Sequence, residues 1–427
     1  MRIGLFTDSY HPASNGVVVI VDATRRFLEE LGHEVFVFAP DGGVVHGKLP
    51  DDPNIIRLPA LQYDLQFSLF FPPALLARIK ALHLDIIQFF TPAQVGLIAV
   101  LAARLTDTVM VGKHSTDTYE FSQDYRAMMV SYVICGPMAP IFVKMSPERI
   151  KALTKLYFSP HSRKNTEKWS QRLIAGLMAM LYASCDAVVA GSQKSGSQLT
   201  KFADRVGEKL NLYVIPDGVD SLPPPAPGAV QEFRHKWGIE PDDEVVVNFG
   251  RLAEEKNQPL LIKMMATLIQ ERPQAKLLLA GDYVFRDKLE QMAAQSPAAD
   301  RIVFSGRYER TDLSTICAVS SVFAFPSMKD TQGIVLNEAA GCGLPLVMCD
   351  KGVNDVFKDG VNGLQARNDP ADFATKVAQL LGDDETRARF GERSKELATQ
   401  YSGIGQTEKL AAMYSDLLSK RQMKTED

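Results

Sequence analysis

The sequence predicts an α/β protein of two doubly wound, Rossmann-like domains. Short apolar runs alternate with amphipathic stretches over 3–202 and again over 244–349, the rhythm of parallel strands joined by crossover helices. A proline-rich stretch at 216–228 interrupts that rhythm. The length, 427 residues, also exceeds what one core ordinarily encloses.

Each element follows from local pattern. Residues 3–7 read as a buried strand, 8–16 as a polar turn, 17–31 as a helix stopped by Gly32, and 34–39 as the next strand. The pattern recurs at 85–90, 95–105 and 109–113, then at 186–190, 192–202 and 212–215. Residues 1–215 thus make an N-terminal domain with an insertion at 120–175. Prolines favour a stiff, extended connector over 216–230. Strands resume at 244–249 and follow at 276–280, 301–305, 322–325 and 344–349, giving a C-terminal domain over 231–400. Leu410, Met413, Tyr414, Leu417 and Leu418 fall near helical spacing. The segment 401–427 is therefore expected to end the chain as a helix returning to the N-terminal domain. Two such lobes make the cleft between them the expected ligand site.

Composition narrows the class. With 46% hydrophobic and 23% charged residues the chain is that of a soluble globular protein. A net charge of −4 argues against a nucleic-acid partner. Five cysteines, scattered among apolar neighbours without C-x-x-C, suit reduced thiols in the cytoplasm. Asp8 comes too early for a signal peptide, and no clean apolar stretch has transmembrane length.

The chemistry concentrates in 325–345. Residues 322–325 read as a buried strand stopped by Pro326, and after a polar loop Gly333 opens a short helix ending at Gly341 and Gly343. A helix starting beside a strand end turns free amides and partial positive charge on that spot. Asp330 precedes this helix and Glu338 lies on it, on the order of 10 Å apart, which suits two ends of one elongated ligand. The plainer alternative makes Asp330 a helix cap and Glu338 a surface residue.

Arg251 and Lys256 follow strand 244–249 at its carboxyl end, where a guanidinium and an ammonium can hold an anion. Alternatively, Arg251 pairs with Glu254 or Glu255 on a solvated loop. Gly16 stands just before a helix, so backbone can approach a phosphate there. His114 ends the strand 109–113, although a lone histidine is more often structural. The chain lacks D-x-D, H-E-x-x-H, G-x-G-x-x-G and the P-loop pattern, so no metal site, nicotinamide fingerprint or Walker lysine is expected. Without a metal, protein cations and helix ends must stabilise a departing diphosphate.

Together the G-R-L…E-K-N run of 250–257, the acid–x₇–Glu element from Asp330 to Glu338, the glycine–proline turn of 340–345, the I-P-D-G-V-D connector and the S-N-G-V turn resemble family 4 of the retaining glycosyltransferases, which have the GT-B fold. The resemblance implies a hexose moved from a nucleotide-diphosphate sugar, UDP being favoured, with no cofactor and no metal. Asp330 would hold donor sugar hydroxyls and Glu338 the ribose. Thr331, Gln332 and Gly333 would line the sugar and phosphates. Arg251 and Lys256 would bind the diphosphate, Gly16 would back it, and His114 would contact the sugar near the reacting carbon. The family's usual first acid is Glu where this chain has Asp330. Two alternatives remain: a sugar phosphorylase or synthase on the same fold, and a non-catalytic nucleotide-sugar-binding protein.

The D-T-Q-G variant and the long N-terminal domain look most like members that glycosylate lipids. Residues 128–145 are almost uncharged but broken by Gly136, Pro137 and Pro140, and Lys144, Arg149, Lys151, Lys155, Arg163, Lys164, Lys168 and Arg172 follow. Apolar beside basic suits a peripheral contact with anionic lipid on the inner membrane face. Equally, the segment packs on its own domain with a solvated basic face.

Overall fold

A strand apolar on both faces must be covered by helices on both faces, and the crossovers that place those helices make its neighbours parallel. The computed structural model describes residues 1–11, 15–41, 52–58, 73–115, 119, 143, 145–159 and 168–426. Its strands are β1 (Arg2–Phe6), β2 (Glu34–Pro40), β3 (Ile55–Leu58), β4 (Ile86–Phe89), β5 (Val109–His114), β6 (Ala187–Ala190) and β7 (Leu212–Val214), then β8 (Glu244–Phe249), β9 (Ala275–Ala280), β10 (Ile302–Gly306), β11 (Val322–Phe325), β12 (Leu346–Met348) and β13 (Gly363–Gln365). They form two sheets, ordered β3-β2-β1-β4-β5-β6-β7 and β10-β9-β8-β11-β12-β13. The described strand pairs are parallel, so the α/β, doubly wound class is correct. Each order reverses once, at β1/β4 and at β8/β11, and at such a reversal loops diverge to leave a crevice at the carboxyl ends.

The first sheet carries α1 (Gly16–Glu30), α2 (Pro73–Ala81), α3 (Gln94–Thr106), α4 (Pro147–Tyr157), α5 (Trp169–Tyr182) and α6 (Gln193–Val206). The second carries α7 (Ala229–Trp237), α8 (Gln258–Glu271), α9 (Arg286–Ala294), α10 (Leu313–Ala318), α11 (Val335–Gly341), α12 (Pro370–Leu381) and α13 (Asp384–Thr399). The last helix is α14 (Gly403–Glu426). The chain divides into one unit of Met1–Asp217 with Gly403–Asp427 and a second of Gly218–Ser402. Strand alternation gives each sheet two cores. In β1, Ile3 and Leu5 enter one core and Phe6 the other.

The strands β3 and β13 went unrecognised in the sequence, and α2, α4, α5, α7 to α10, α12 and α13 were given no residue range there. The two strands are edge strands of four and three residues, only partly buried, so their alternation is too short to register. The short helix of the D-T-Q-G stretch starts at Val335, not at Gly333, because Gly333 takes φ +61° and turns the chain before the helix can begin. Of the apolar run at 128–145, residues 128–142 and 144 lie outside the described residues, while Val143 is buried in the first unit.

Helix α14 packs against α1, where a Cβ on Gly403 would meet Phe27 Cε2 at 1.9 Å. Its Tyr414 is fully buried, and the hydroxyl donates to the equally buried Gln88 Oε1 of β4 at 2.6 Å. Tyr414→Phe leaves that acceptor unsatisfied. It is expected to destabilise the first unit by about 1–3 kcal/mol, read as a lower urea midpoint.

Candidate active site

In the second unit the site is built where β8 and β11 end, on either side of the strand-order reversal. The loop after β8 turns through Gly250 at φ +133°, and the loop after β9 through Gly281 at φ +150°. The two glycines are back to back: a Cβ on Gly281 would lie 1.8 Å from the Gly250 carbonyl oxygen. Only glycine permits this approach. Arg251 then lies over the Tyr283 ring at 5.1 Å and donates to the buried Glu255 at 3.1 Å. The pairing with Glu255 is thus present, on a strand-end loop that also carries Lys256.

Three contacts tie that loop to the one leaving β11. Asn257, at φ +58°, donates its Nδ2 to the Pro326 carbonyl at 3.1 Å. The Ser327 hydroxyl donates to the Glu255 carbonyl at 3.2 Å. Lys256 Nζ donates to Asp330 Oδ1 in direct contact. Asp330 therefore does not cap α11, whose N-cap is Ile334 with no side-chain hydrogen bond. Burial works to raise the Asp330 carboxyl, but the charge and hydrogen bond of Lys256, aided by the Ser327 hydroxyl and by Arg251, hold it below the usual carboxylate range. Its second oxygen, Oδ2, is buried with no hydrogen-bond partner.

Glu338 is buried on α11 and accepts from Arg310 Nη1 at 2.6 Å. Burial pushes its carboxyl above the ordinary value, with Arg310 opposing. Beside it, burial and the Glu338 charge also raise the Tyr308 hydroxyl. Gln332 is buried, and the buried Asn354 donates to the Gln332 and Gly333 carbonyls at 2.9 and 3.3 Å, fixing the turn. Thr331, half-buried, adjoins that turn.

His114 and Gly16 belong to the first unit. His114 closes β5, is buried, and shares a 3.2 Å hydrogen bond between Nδ1 and the Tyr182 hydroxyl, the rings meeting edge to face at 5.7 Å. Gly16 opens α1 with nothing within 4 Å of where a Cβ would stand. Asn15 caps the helix, its Oδ1 accepting from the Val17 and Val18 amides. At the β1/β4 reversal Asp8 accepts from the Val95 amide at 2.7 Å and the Thr91 hydroxyl at 2.5 Å, holding the start of α3. Burial pushes the Asp8 carboxyl up to about 6 against those bonds.

Gly281, Arg310, Asn354 and Asp8 had not been singled out as site residues in the sequence. Only Gly281, directly after an apolar run in A-G-D, carries a local signal. The described residues hold no group of three or more His, Cys, Asp or Glu that could hold a metal ion.

Partly exposed cations thus stand over buried acids at the switch point of a doubly wound sheet, an arrangement open to an anionic ligand. The family model described as "Glycosyltransferase Family 4" matches residues 14–221, and that described as "Glycosyl transferases group 1" matches 229–397, together most of the chain. The chain belongs to family 4 of the glycosyltransferases and is a hexosyltransferase of the GT-B class. The alpha-monoglucosyldiacylglycerol synthase of Streptococcus pneumoniae is 25% identical over 81% of this chain and 70% of its own length. The enzyme of that name from Acholeplasma laidlawii is 23% identical over 99% of both. A structure of Anabaena HepE in complex with UDP and glucose has a TM-score of 0.69, covering 97% of this chain and 100% of that one at 19% identity, a likeness of fold.

The raised Glu338 carboxyl has a consequence for stability. The folded protein keeps this proton to higher pH than the unfolded chain, so the group takes stability away as pH rises from the unfolded value through the folded one. Glu338→Gln is therefore expected to raise the melting temperature at pH 8, with the gain shrinking as pH falls below the Glu338 value. A melting curve taken every half pH unit on both proteins checks it.

Proposed function

We propose that the chain transfers glucose, with retention and without a divalent metal, from UDP-glucose to a diacylglycerol-type lipid at an anionic membrane surface. The observation that carries the donor half is the Lys256–Asp330 contact between the two switch-point loops, flanked by Arg251 and by the Arg310–Glu338 pair. Asp330 Oδ2, a buried acceptor with no donor, suits a sugar hydroxyl, and the Glu338 carboxylate suits the ribose diol. Arg251 and Lys256 would take the diphosphate, while Thr331, Gln332 and Gly333 line the sugar. His114 would hold the sugar near the reacting carbon, and Gly16, open above its Cα, would let the diphosphate approach the backbone.

The proposed step balances without a protein base. The bond from the anomeric carbon to the acceptor oxygen forms as its bond to the β-phosphate oxygen breaks, on the same face. The acceptor proton passes to a donor phosphate oxygen, and UDP departs. The developing charge falls on the diphosphate, where fixed cations do most good. Arg251→Ala and Lys256→Ala should each lower kcat by roughly 10²–10³-fold, measured as glucolipid formed from UDP-glucose and diacylglycerol vesicles in chelator-treated buffer. Turnover at the wild-type rate in both variants would overturn the assignment, and loss of all turnover on chelation would overturn metal independence.

Support for a membrane surface comes from α4. Ile150, Tyr157 and Phe158 are exposed apolar side chains on and just after this helix, interleaved with the exposed Lys151 and Lys155. An amphipathic helix of that kind lies in a lipid interface. Among the described residues no helix is long and apolar enough to cross a membrane. The double variant Ile150→Ser, Phe158→Ser is expected to lose most sedimentation with phosphatidylglycerol liposomes, while keeping wild-type affinity for UDP. Unchanged sedimentation would remove α4 from the membrane contact.

A further inference from the structure

Three lysine or arginine side chains are buried among the described residues: Lys113, Arg172 and Lys276. Lys113 pairs with Asp217 and Lys276 with Asp243. Arg172, 6% exposed, differs: its Nε and Nη1 are buried with no hydrogen-bond partner. A guanidinium cannot shed its proton to relieve this, as a lysine can. A buried charge of this kind is strongly unfavourable until an anion meets it.

The helix around Arg172 favours an anion independently. Arg172 lies in the first turn of α5, a fourteen-residue helix whose N-cap is Lys168. Lysine has no acceptor atom, so it cannot cap the orphan amides of that turn. The Gln171 side-chain carbonyl accepts outside the turn, from the Lys168 amide at 2.9 Å. Helical side chains slant toward the N-terminus, which carries the Arg172 guanidinium back over these amides and the positive end of the helix dipole. Nearby Arg149 is not available in the same way, being held by both oxygens of Glu208 at 2.6 and 3.0 Å.

The location fits a ligand. Helix α5 leads into β6 and so runs back along the sheet, which puts its first turn on the carboxyl-end side, the side of Gly16 and His114. Donors spread over two guanidinium nitrogens and a turn of amides match an oxyanion with several free oxygens better than a flat carboxylate. We propose that Arg172 and the first turn of α5 bind a phosphate group carried by the ligand of the N-terminal unit. Diacylglycerol carries no phosphate, so this ligand is distinct from the acceptor proposed above: a phospholipid of the membrane surface or a soluble phosphate ester. Its place beside the acceptor rests on the transferase reading; the phosphate site itself does not.

The test uses the full chain, its melting temperature followed in phosphate-free buffer against inorganic phosphate, and in parallel against phosphatidylglycerol vesicles. Wild type should be stabilised in at least one arm. Arg172→Met should melt at or above the wild-type temperature without ligand, because an apolar side chain of similar length replaces an unpaired charge. It should bind phosphate roughly 10- to 100-fold more weakly, and Arg172→Lys should fall between. A response to inorganic phosphate alone assigns a phosphate on a soluble ligand, whereas an Arg172-dependent response to vesicles assigns a lipid headgroup. Equal responses in wild type and Arg172→Met, no response in either arm, or a large loss of ligand-free stability in the variant would each overturn the proposal. UDP is titrated alongside: an unchanged UDP response in Arg172→Met shows that the variant is folded. Failure of UDP to stabilise either protein counts against the donor reading and leaves the phosphate result standing.

Discussion

A parallel strand covered on both faces can offer side chains to a ligand only where it ends, and neighbouring loops separate only where the strand order reverses. In the second unit that leaves the ends of β8 and β11, and the chain joins them by side chain to backbone and by charge to charge. Asn257 reaches Pro326, Ser327 reaches back to Glu255, and Lys256 closes on Asp330. The G-R-L…E-K-N run is explained by these contacts. Gly250 lets two strand ends touch, Glu255 and Lys256 point to opposite tasks, and Asn257 tolerates the left-handed conformation that starts α8.

The charges of this site are layered. Arg251, Lys256 and Arg310 are 30%, 23% and 36% exposed, while their partners Glu255, Asp330 and Glu338 are 5%, 14% and 7% exposed. The acids lie inside and the cations outside, so an anionic ligand would meet the cations first. A diphosphate entering such a site needs no reorganisation of the acids, which already orient the groups that would contact it. The acids also prevent three cations from repelling one another before a ligand arrives. The cost is visible at Glu338, which is buried deeply enough that one arginine does not return its carboxyl to its ordinary value.

Legibility in the sequence followed the range of the interaction. The central strands could be read because burial on both faces leaves an unbroken apolar run, as at Val245, Val246 and Val247. Arg251, Lys256, Asp330 and Glu338 stood out because each follows or opens a regular element, where composition changes abruptly. Their long-range pairing did not: Arg310 lies 28 residues from Glu338 and Asp330 lies 74 from Lys256, and no local pattern records a contact over that separation. Asn354 was equally silent, since a buried asparagine holding two carbonyls leaves the same trace as one in a surface turn. Arg172 could be read only as one more member of a basic run. That it is buried, and Arg149 satisfied, is decided by packing.

Aspartate at position 330, where the family usually has glutamate, has a geometric meaning in this arrangement. A carboxylate one methylene shorter draws its oxygens back toward the backbone by about one bond, roughly 1.5 Å. The four-carbon stem of Lys256 is long enough to span the difference, and the contact to Oδ1 is made. A ring hydroxyl cannot follow in the same way unless the whole sugar moves deeper, toward the buried and unpartnered Oδ2. Glu338 is held separately by Arg310 and feels no such change. In the donor arrangement proposed above, the substitution would bear on the sugar end and spare the nucleoside end, so that sugar choice could drift while the nucleotide grip is kept.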